Sequence, residues 1–532
     1  MTQVDRSHSD RTDALPLSER HKIMRDALIN NFAFVASGLV GIILVPLMLS
    51  WLGAESYGVW ILAMTVAGVL ATLDSGLHCT IVREVACSSG PEAENAVWTY
   101  VEGAANAYLL LGLLGTLLLG GSGYAMNGYL HLDPQLKATT RAVFWLVGIS
   151  FLADQFNHFG NALLMGLRRF GYANLIRGGT AILRGIGFVT LLALGGSLVI
   201  IAIWQVVATV VSAAVTLVIV RRLAPNFHFR IARLHWGTLR QRISFALSSL
   251  LTTFIGGVTW QVGSLLIGFI EGSAAVVPFY IGLKFPFAAS LFGWQAAETL
   301  FPAAGEHQNS PSRTREILRA GTRWVLVLLV PVSTLLWIVG PNLLSVWIGK
   351  LDPEALRVLR LMCFAALADA FMAASLNVLW GRAAMRRVVP VLLGVAALTV
   401  FLAALLVPKM GAPGAAWGVV LPMTAGAVLL FHQACRECDT FVLPMLRSIF
   451  RGLPFAAIGC AACGYLVTAL GRSDLWHLVG ACLAGSTAYA SLIYFVSGEN
   501  EERRFLESIF HGLKSLLWPA NFGYAGLFRR NR

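Results

Sequence analysis

Two aspartates stand in the same five-residue setting, Leu152-Ala-Asp-Gln-Phe156 and Leu367-Ala-Asp-Ala-Phe371, 215 residues apart. Both settings lie inside long apolar runs, and an ionisable residue within a membrane span is costly enough to mark a candidate functional site. Asp154 is followed by His158 and Asn161, at spacings of four and three that put all three on one helical face. The next apolar run places Arg177, Thr180 and Arg184 on one face by the same rule. Arg184 is deep enough to need a carboxylate, water or an anionic ligand, and Asp154 is the obvious protein partner. Further on, Lys284, Gln295 and Glu298 fall near one stripe, in a run whose first half carries Pro278 and Pro286. These prolines are expected to break that span and free backbone carbonyls, which a membrane tolerates where they line a cavity or find new partners. Glu102, Glu271 and Arg360 lie near span ends, within reach of interface water. Cations facing a cavity suit an anionic substrate such as a diphosphate, and arginine matches phosphate oxygens with paired hydrogen bonds.

Each charge also has a purely structural account. Asp154 and Arg184 could be an ion pair that fixes packing. Lys284 and Glu298 could reach opposite surfaces with their long side chains. His158 could be a core histidine with its hydrogen bonds met rather than a proton carrier. Asp369 has no charged partner apparent in sequence, so it is the member of the set expected to titrate.

The elements that hold these residues are membrane helices. Of 532 residues, 57% are hydrophobic and 13% charged, where a soluble domain has about a quarter charged. The mean hydropathy is +0.71. Fourteen spans are expected, at 29–51, 59–77, 101–124, 143–164, 177–196, 198–220, 245–270, 276–304, 324–348, 356–380, 388–407, 415–435, 452–470 and 475–496. The first is too long and starts too late for a cleaved signal peptide. With the N-terminus inside, 31 of the 40 Lys+Arg fall on the inner side and seven on the outer, with Arg184 and Lys284 within spans. That bias supports both the span count and an orientation with both termini cytoplasmic. The net charge of +13 therefore reflects topology and contact with anionic lipid, and nucleic acid is not an expected partner.

The repeat extends past the pentapeptides. Asn161-Ala-Leu-Leu-Met-Gly166 precedes Arg168-Arg169, as Asn377-Val-Leu-Trp-Gly381 precedes Arg382, Arg386 and Arg387. Expected outer turns at Gly195-Gly196 and Gly411, and at Leu52-Gly53-Ala54 and Ile270-Glu271-Gly272, keep the same order. The expected architecture is an all-α polytopic membrane protein with two parallel six-helix lobes and two further helices. Its parts are a cytoplasmic segment 1–28, an N-lobe 29–220, a basic linker 221–244, a C-lobe 245–435, a helix pair 452–496, and a tail 497–532. In the tail, Phe505, Ile509, Leu513 and Leu516 recur at helical spacing, which reads as an amphipathic helix on the inner surface or against the bundle.

The eight cysteines are scattered, and Cys435-x-x-Cys438 and Cys460-x-x-Cys463 lack the convergent partners that zinc needs. No metal site and no cofactor is expected, and a coupling ion, H⁺ or Na⁺, is left open. No phosphate-binding loop, His-Glu-x-x-His or Gly-x-Ser-x-Gly motif is present, and the outer loops are too short for a catalytic domain. An enzyme is not expected.

Pro46-Leu-Met-Leu-Ser-Trp-Leu-Gly53-Ala-Glu-Ser-Tyr57-Gly58-Val-Trp60 resembles the first hairpin of the Wzx-like polysaccharide flippases, in the superfamily that also holds multidrug and toxin extrusion transporters. Leu73-Asp74-Ser-Gly76-Leu with Arg83-Glu-Val-Ala86, Gly166-Leu-Arg-Arg-Phe170 with Ala173-Asn-Leu-Ile176, Leu300-Phe-Pro302, and Gly411-Ala-Pro-Gly414-Ala-Ala-Trp-Gly418 resemble later landmarks of that family in order. Arg25-Asp26 resembles an Arg-Asp pair of lipid II flippases, although a helix start also favours such residues.

The resemblance, over about residues 25–435, implies a bilobed bundle in the bacterial inner membrane that works by alternating access. Its substrate would be an isoprenoid-diphosphate-linked oligosaccharide. Its partners would be that lipid-linked oligosaccharide and membrane lipids, with polysaccharide polymerase and glycosyltransferases as candidates. The lumen residues expected to handle the head group or a coupling ion are Arg25, Asp74, Asp154, His158, Arg184, Lys284, Glu298 and Asp369. A cation-coupled multidrug antiporter and a non-transporting scaffold of a polysaccharide assembly complex are the alternatives. Arg184 and Lys284 in the interior disfavour the first, and a scaffold gains nothing from buried charge.

Overall fold

In hydrocarbon no water meets a backbone N–H or C=O, so apolar runs of this length close their hydrogen bonds within helices. The computed structural model describes the backbone of residues 17–87, 91–129, 134–225, 236–470 and 474–497, with residues 502 and 507, and the side chains of 37–87, 97–128, 136–225, 250–469, 474–496, 502 and 507. The helices are α1 Leu17–Ala71, α2 Ser75–Cys87, α3 Pro91–Tyr129, α4 Pro134–Gly166, α5 Phe170–Ala193, α6 Leu198–Leu223, α7 Trp236–Glu271 and α8 Val276–Glu298. They continue as α9 Leu300–Glu306, α10 Pro311–Ile348, α11 Pro353–Gly381, α12 Met385–Met410, α13 Ala412–Glu437, α14 Val442–Ile449, α15 Leu453–Leu470 and α16 Leu475–Leu492. No strand occurs among the described residues.

Thirteen described stretches are long and apolar enough to cross a membrane. One of them, Ser37–Cys87, has 51 residues, about 77 Å of helix and enough for two crossings. It is broken at Gly53, whose φ of 78° and ψ of 166° no helix contains. Glycine alone adopts that backbone cheaply. The fourteen expected spans are thus present, with the first two joined in one assigned helix.

The chain forms two compact units, one of residues 1–261 with 268–277 and one of 262–267 with 278–532. In the first, α4 packs between α3 and α6, and α5 lies against α1. In the second, α13 packs between α11 and α12, and α10 joins α11 to the pair α15 and α16.

Turn chemistry at equivalent places is alike in the two units. Arg168 and Ala383, 215 residues apart, are both left-handed, with φ of 57° and 56°. After α4, Arg168 N–H donates to Met165 O at 2.9 Å and Arg169 N–H to Leu164 O at 2.7 Å. After α11, Ala383 N–H donates to Trp380 O and Ala384 N–H to Leu379 O, both at 2.9 Å. The last carbonyls of both helices are satisfied by the same backbone motif. Gly195 and Gly411, and Gly53 and Gly272, also share positive φ. At the start of α11, Asp352 accepts from Glu354 N–H at 2.9 Å and Ala355 N–H at 3.3 Å, with Pro353 at the first helical position.

One expectation needs correction. The prolines do not break the eighth span, because α8 runs unbroken through Pro286 and holds Pro278 in its first turn, where a missing N–H costs nothing. The break falls instead at Thr299, between α8 and α9. The expected tail helix lies outside the described residues apart from Glu502 and Glu507, as do residues 226–235 of the basic linker.

Candidate functional site

The first unit holds a polar interior built on α4, α5 and α6. Arg184 of α5 donates through Nη2 to both oxygens of Asp154 of α4, at 3.3 and 3.4 Å, and to Thr209 Oγ1 of α6 at 2.8 Å. The pairing expected from spacing is therefore present. Its geometry is a single nitrogen shared between two oxygens, and Nε and Nη1 make no hydrogen bond among the described residues. The pair is partly open, with the Arg184 side chain 25% and the Asp154 side chain 31% exposed.

Asn157, one turn along α4, ties the pair to α6. Its Nδ2 donates to Asp154 Oδ1 at 3.2 Å, and its Oδ1 accepts from Ser212 at 3.1 Å and Thr216 at 3.0 Å. Thr180 of α5 donates to Ser212 Oγ at 2.7 Å. Thr209 donates back to its own helix at Gln205 O, and Thr216 shares its one hydroxyl proton between Asn157 Oδ1 and Ser212 O. Such bonds let a hydroxyl sit inside a membrane helix. Thr209, Ser212 and Thr216 are at spacings of three and four, the same one-face signature used for α4 and α5, so their ladder was readable from sequence.

His158 does not join that ladder. Its Nδ1 lies 2.5 Å from Asp74 Oδ2. Asp74 is the last residue of a 3₁₀ turn, Thr72–Asp74, between α1 and α2. The His158 side chain is 39% exposed while that of Asp74 is 9% exposed, so the imidazole bridges an open face and a closed one. Asn161, expected on the same stripe, has its Oδ1 buried without a described hydrogen-bond partner.

The second unit holds Asp369, Lys284 and Glu298. Asp369 of α11, 2% exposed, accepts from Ser290 Oγ and, at 2.8 Å, from Trp294 Nε1, both of α8. Both of these donors are neutral. Lys284 donates to Tyr280 OH at 3.0 Å, with its ammonium 4.9 Å from the centre of the same ring. Glu298 is exposed at the end of α8 and makes no ion pair with Lys284 among the described residues. The stripe of Lys284, Gln295 and Glu298 is therefore not a cluster. Arg25 falls in α1, with its side chain outside the described residues. No group of three or more potential metal ligands occurs among the described residues.

Sequence reasoning missed the most buried cation. Arg323 of α10 is 1% exposed. It donates to Glu502 at 2.5 Å through Nε and 3.2 Å through Nη2, and through Nη1 to Ser448 O, Ile449 O and Arg451 O at 3.1, 2.9 and 3.0 Å. It caps α14 and clasps the segment beyond α16, so its role is structural. Nothing local in the sequence marks it, because its partners lie 125 to 179 residues away.

Compared with known proteins, residues 23–306, more than half of the chain, match the family described as "Polysaccharide biosynthesis protein". The chain belongs to that family. A protein of Shigella flexneri described as "Putative O-antigen transporter" is 25% identical over 154 residues, which span 29% of this chain and 36% of that protein. The match thus covers about a third of that relative. Among solved structures, "Lipid II flippase MurJ, inward closed conformation" superposes with a TM-score of 0.71 at 11% identity, covering 88% of this chain and 98% of that one. An inward-facing multidrug resistance MATE family transporter of the MOP superfamily gives 0.58 at 14% identity, with 77% and 94% covered. At these identities the structures share the fold of this multi-pass membrane protein.

Proposed function

We propose that this family member flips an isoprenoid-diphosphate-linked oligosaccharide from the cytoplasmic to the outer face of the bacterial inner membrane, opening first to one side and then to the other. Both termini are cytoplasmic in this reading. The observation that carries it is Arg184, a partly exposed guanidinium within a membrane helix whose Nη2 is held by Asp154 and Thr209, whose Nε is buried, and whose Nη1 makes no hydrogen bond among the described residues. A sugar-diphosphate head group cannot cross hydrocarbon unaided, since bare charge and unmet polar groups are too costly there. A fixed cation with an Nη1 donor to spare gives the diphosphate a charge-assisted hydrogen bond in place of water. The hydroxyls of α5 and α6 and the amide of Asn157 surround that cation with groups a hydrated head group tolerates. Asp369 is assigned to a coupling ion, H⁺ or Na⁺, as a buried carboxylate within a membrane helix of the second unit. The family, the "O-antigen transporter" relative and the flippase fold support this reading.

The test is translocation of a fluorescent lipid-diphosphate-oligosaccharide by purified protein in proteoliposomes, with ethidium efflux in cells as the second arm. Head-group translocation without ethidium efflux is expected. Efflux of ethidium with no lipid movement would replace the proposal with drug extrusion.

A further inference from the structure

In both units the second span is interrupted, and in both a side-chain bond joins it to the fourth span, at the interruption in the first unit and before it in the second. In the first unit the second span follows Gly53 and gives way to the 3₁₀ turn Thr72–Asp74 before resuming as α2. Asp74 of that turn meets His158 of α4. In the second unit the second span follows Gly272 as α8, carries Pro286, and breaks at Thr299 before α9. Between Pro286 and that break, Ser290 and Trp294 donate to Asp369 of α11. Counted from the preceding turn glycine, Asp74 falls between Ser290 and Trp294, within one helical turn of each.

The segment beyond each break is fixed to the same fourth span by close packing. A Cβ added at Gly166, at the end of α4, would lie 2.8 Å from Val85 Cβ of α2. A Cβ added at Gly381, at the end of α11 and 215 residues on, would lie 2.7 Å from Ala304 Cβ of α9 and from Phe301 O. The short pieces α2 and α9 are thus docked through glycines, and a polar bond ties the second span to the fourth at the break in the first unit and on α8, nine and five residues before the break, in the second. The polarity of that bond is reversed between the units. The first unit has the acid on the second span and the donor on the fourth, and the second unit has the acid on the fourth span and the donors on the second. The reversal has a local cause, because Asp154, which matches Asp369 in the repeat, is taken by Arg184.

We infer that Asp74–His158 and Ser290/Trp294–Asp369 are a duplicated pair of latches, and that Ser290 and Trp294 are positioning residues that fix where the second span of the second unit hinges. With a latch closed, the piece beyond the break moves as one body with the fourth span. With it open, that piece keeps its packing, at the glycines and, for α2, through the Tyr100–Thr80 hydrogen bond to α3, but loses the tie to the fourth span near the break. A 3₁₀ segment within a helix is a common place for such a joint. The latches rest on the transport reading only for their consequence, since they can be measured without substrate.

Amide hydrogen exchange of the full chain in nanodiscs tests this. His158→Leu is expected to raise exchange in α2 about tenfold and leave α9 unchanged. Ser290→Ala with Trp294→Phe is expected to raise exchange in the last turns of α8 and in α9 by a similar factor and leave α2 unchanged. His158→Gln, which keeps a donor, stays near the parent. No change in either segment, or a uniform rise across all helices, overturns the inference. Each arm stands alone should one variant fail to fold. In proteoliposomes the Ser290/Trp294 variant is expected to lose turnover several-fold at an unchanged half-saturating substrate concentration. Local exchange that changes as expected in a protein that moves no lipid would sink the transport reading and leave the latches standing.

Discussion

Arg184 and Asp154 offer a test that separates an anion site from a packing pair. Arg184→Gln removes the guanidinium, and with it at least one charge-assisted hydrogen bond to a diphosphate, worth about 1.5–3 kcal/mol. That is roughly a 10- to 150-fold loss of head-group affinity. Asp154→Asn acts in the opposite direction. The carboxylate competes with the ligand for Nη2 at 3.3 Å, and unit charges that close attract by about 5 kcal/mol at an effective dielectric near 20. The pair is a quarter to a third exposed, so solvent and desolvation leave about a fifth of this, on the order of 1 kcal/mol. Asp154→Asn is therefore expected to bind the head group equally well or up to about fivefold more tightly. The double variant should match Arg184→Gln. Equilibrium binding of a labelled lipid-diphosphate sugar in nanodiscs measures all four proteins, with melting temperature as the control for folding. If the two single variants weaken binding equally and the double variant restores it, the pair only fixes packing, and the site assignment fails.

Three further outcomes follow from the geometry. Glu502→Ala strands the Arg323 charge in a 1% exposed site and is expected to cost about 3–5 kcal/mol, while Arg323→Met with Glu502→Leu recovers much of it. Thermal unfolding in detergent checks the order, and a Glu502→Ala protein that melts with the parent refutes it. Burial holds the Cys438 thiol up at about 11, so near pH 7 it stays protonated and inert, while the exposed Cys87 should react. An impermeant maleimide is expected to label Cys87 from the cytoplasmic side only; labelling of intact cells from outside would invert the orientation. Gly381→Ala is expected to destabilise by about 1–3 kcal/mol, because its Cβ meets Phe301 O and Ala304 Cβ at 2.7 Å. Gly394→Ala, with nothing within 4 Å, is the neutral control in the same melting assay.

Much of this protein was legible in the chain because membrane helices are local objects. A run of about 20 apolar residues is a span wherever it occurs, and Gly53, Gly195, Gly272 and Gly411 mark turns because their backbones need positive φ. The Asp154–Arg184 pair was also readable, since adjacent spans joined by a short turn bring their one-face polar residues together. The prolines of α8 misled because a first-turn proline and a single interior one bend a membrane helix without ending it. Tertiary structure alone decided which distant groups meet. Asp74 finds His158 across 84 residues, and Arg323 finds Glu502 across 179. Periodicity places a residue on a face of its own helix but does not say which helix that face will touch. That choice is made by close packing, here at Gly166 and Gly381, whose missing side chains let particular helices approach and so select the polar groups beside them.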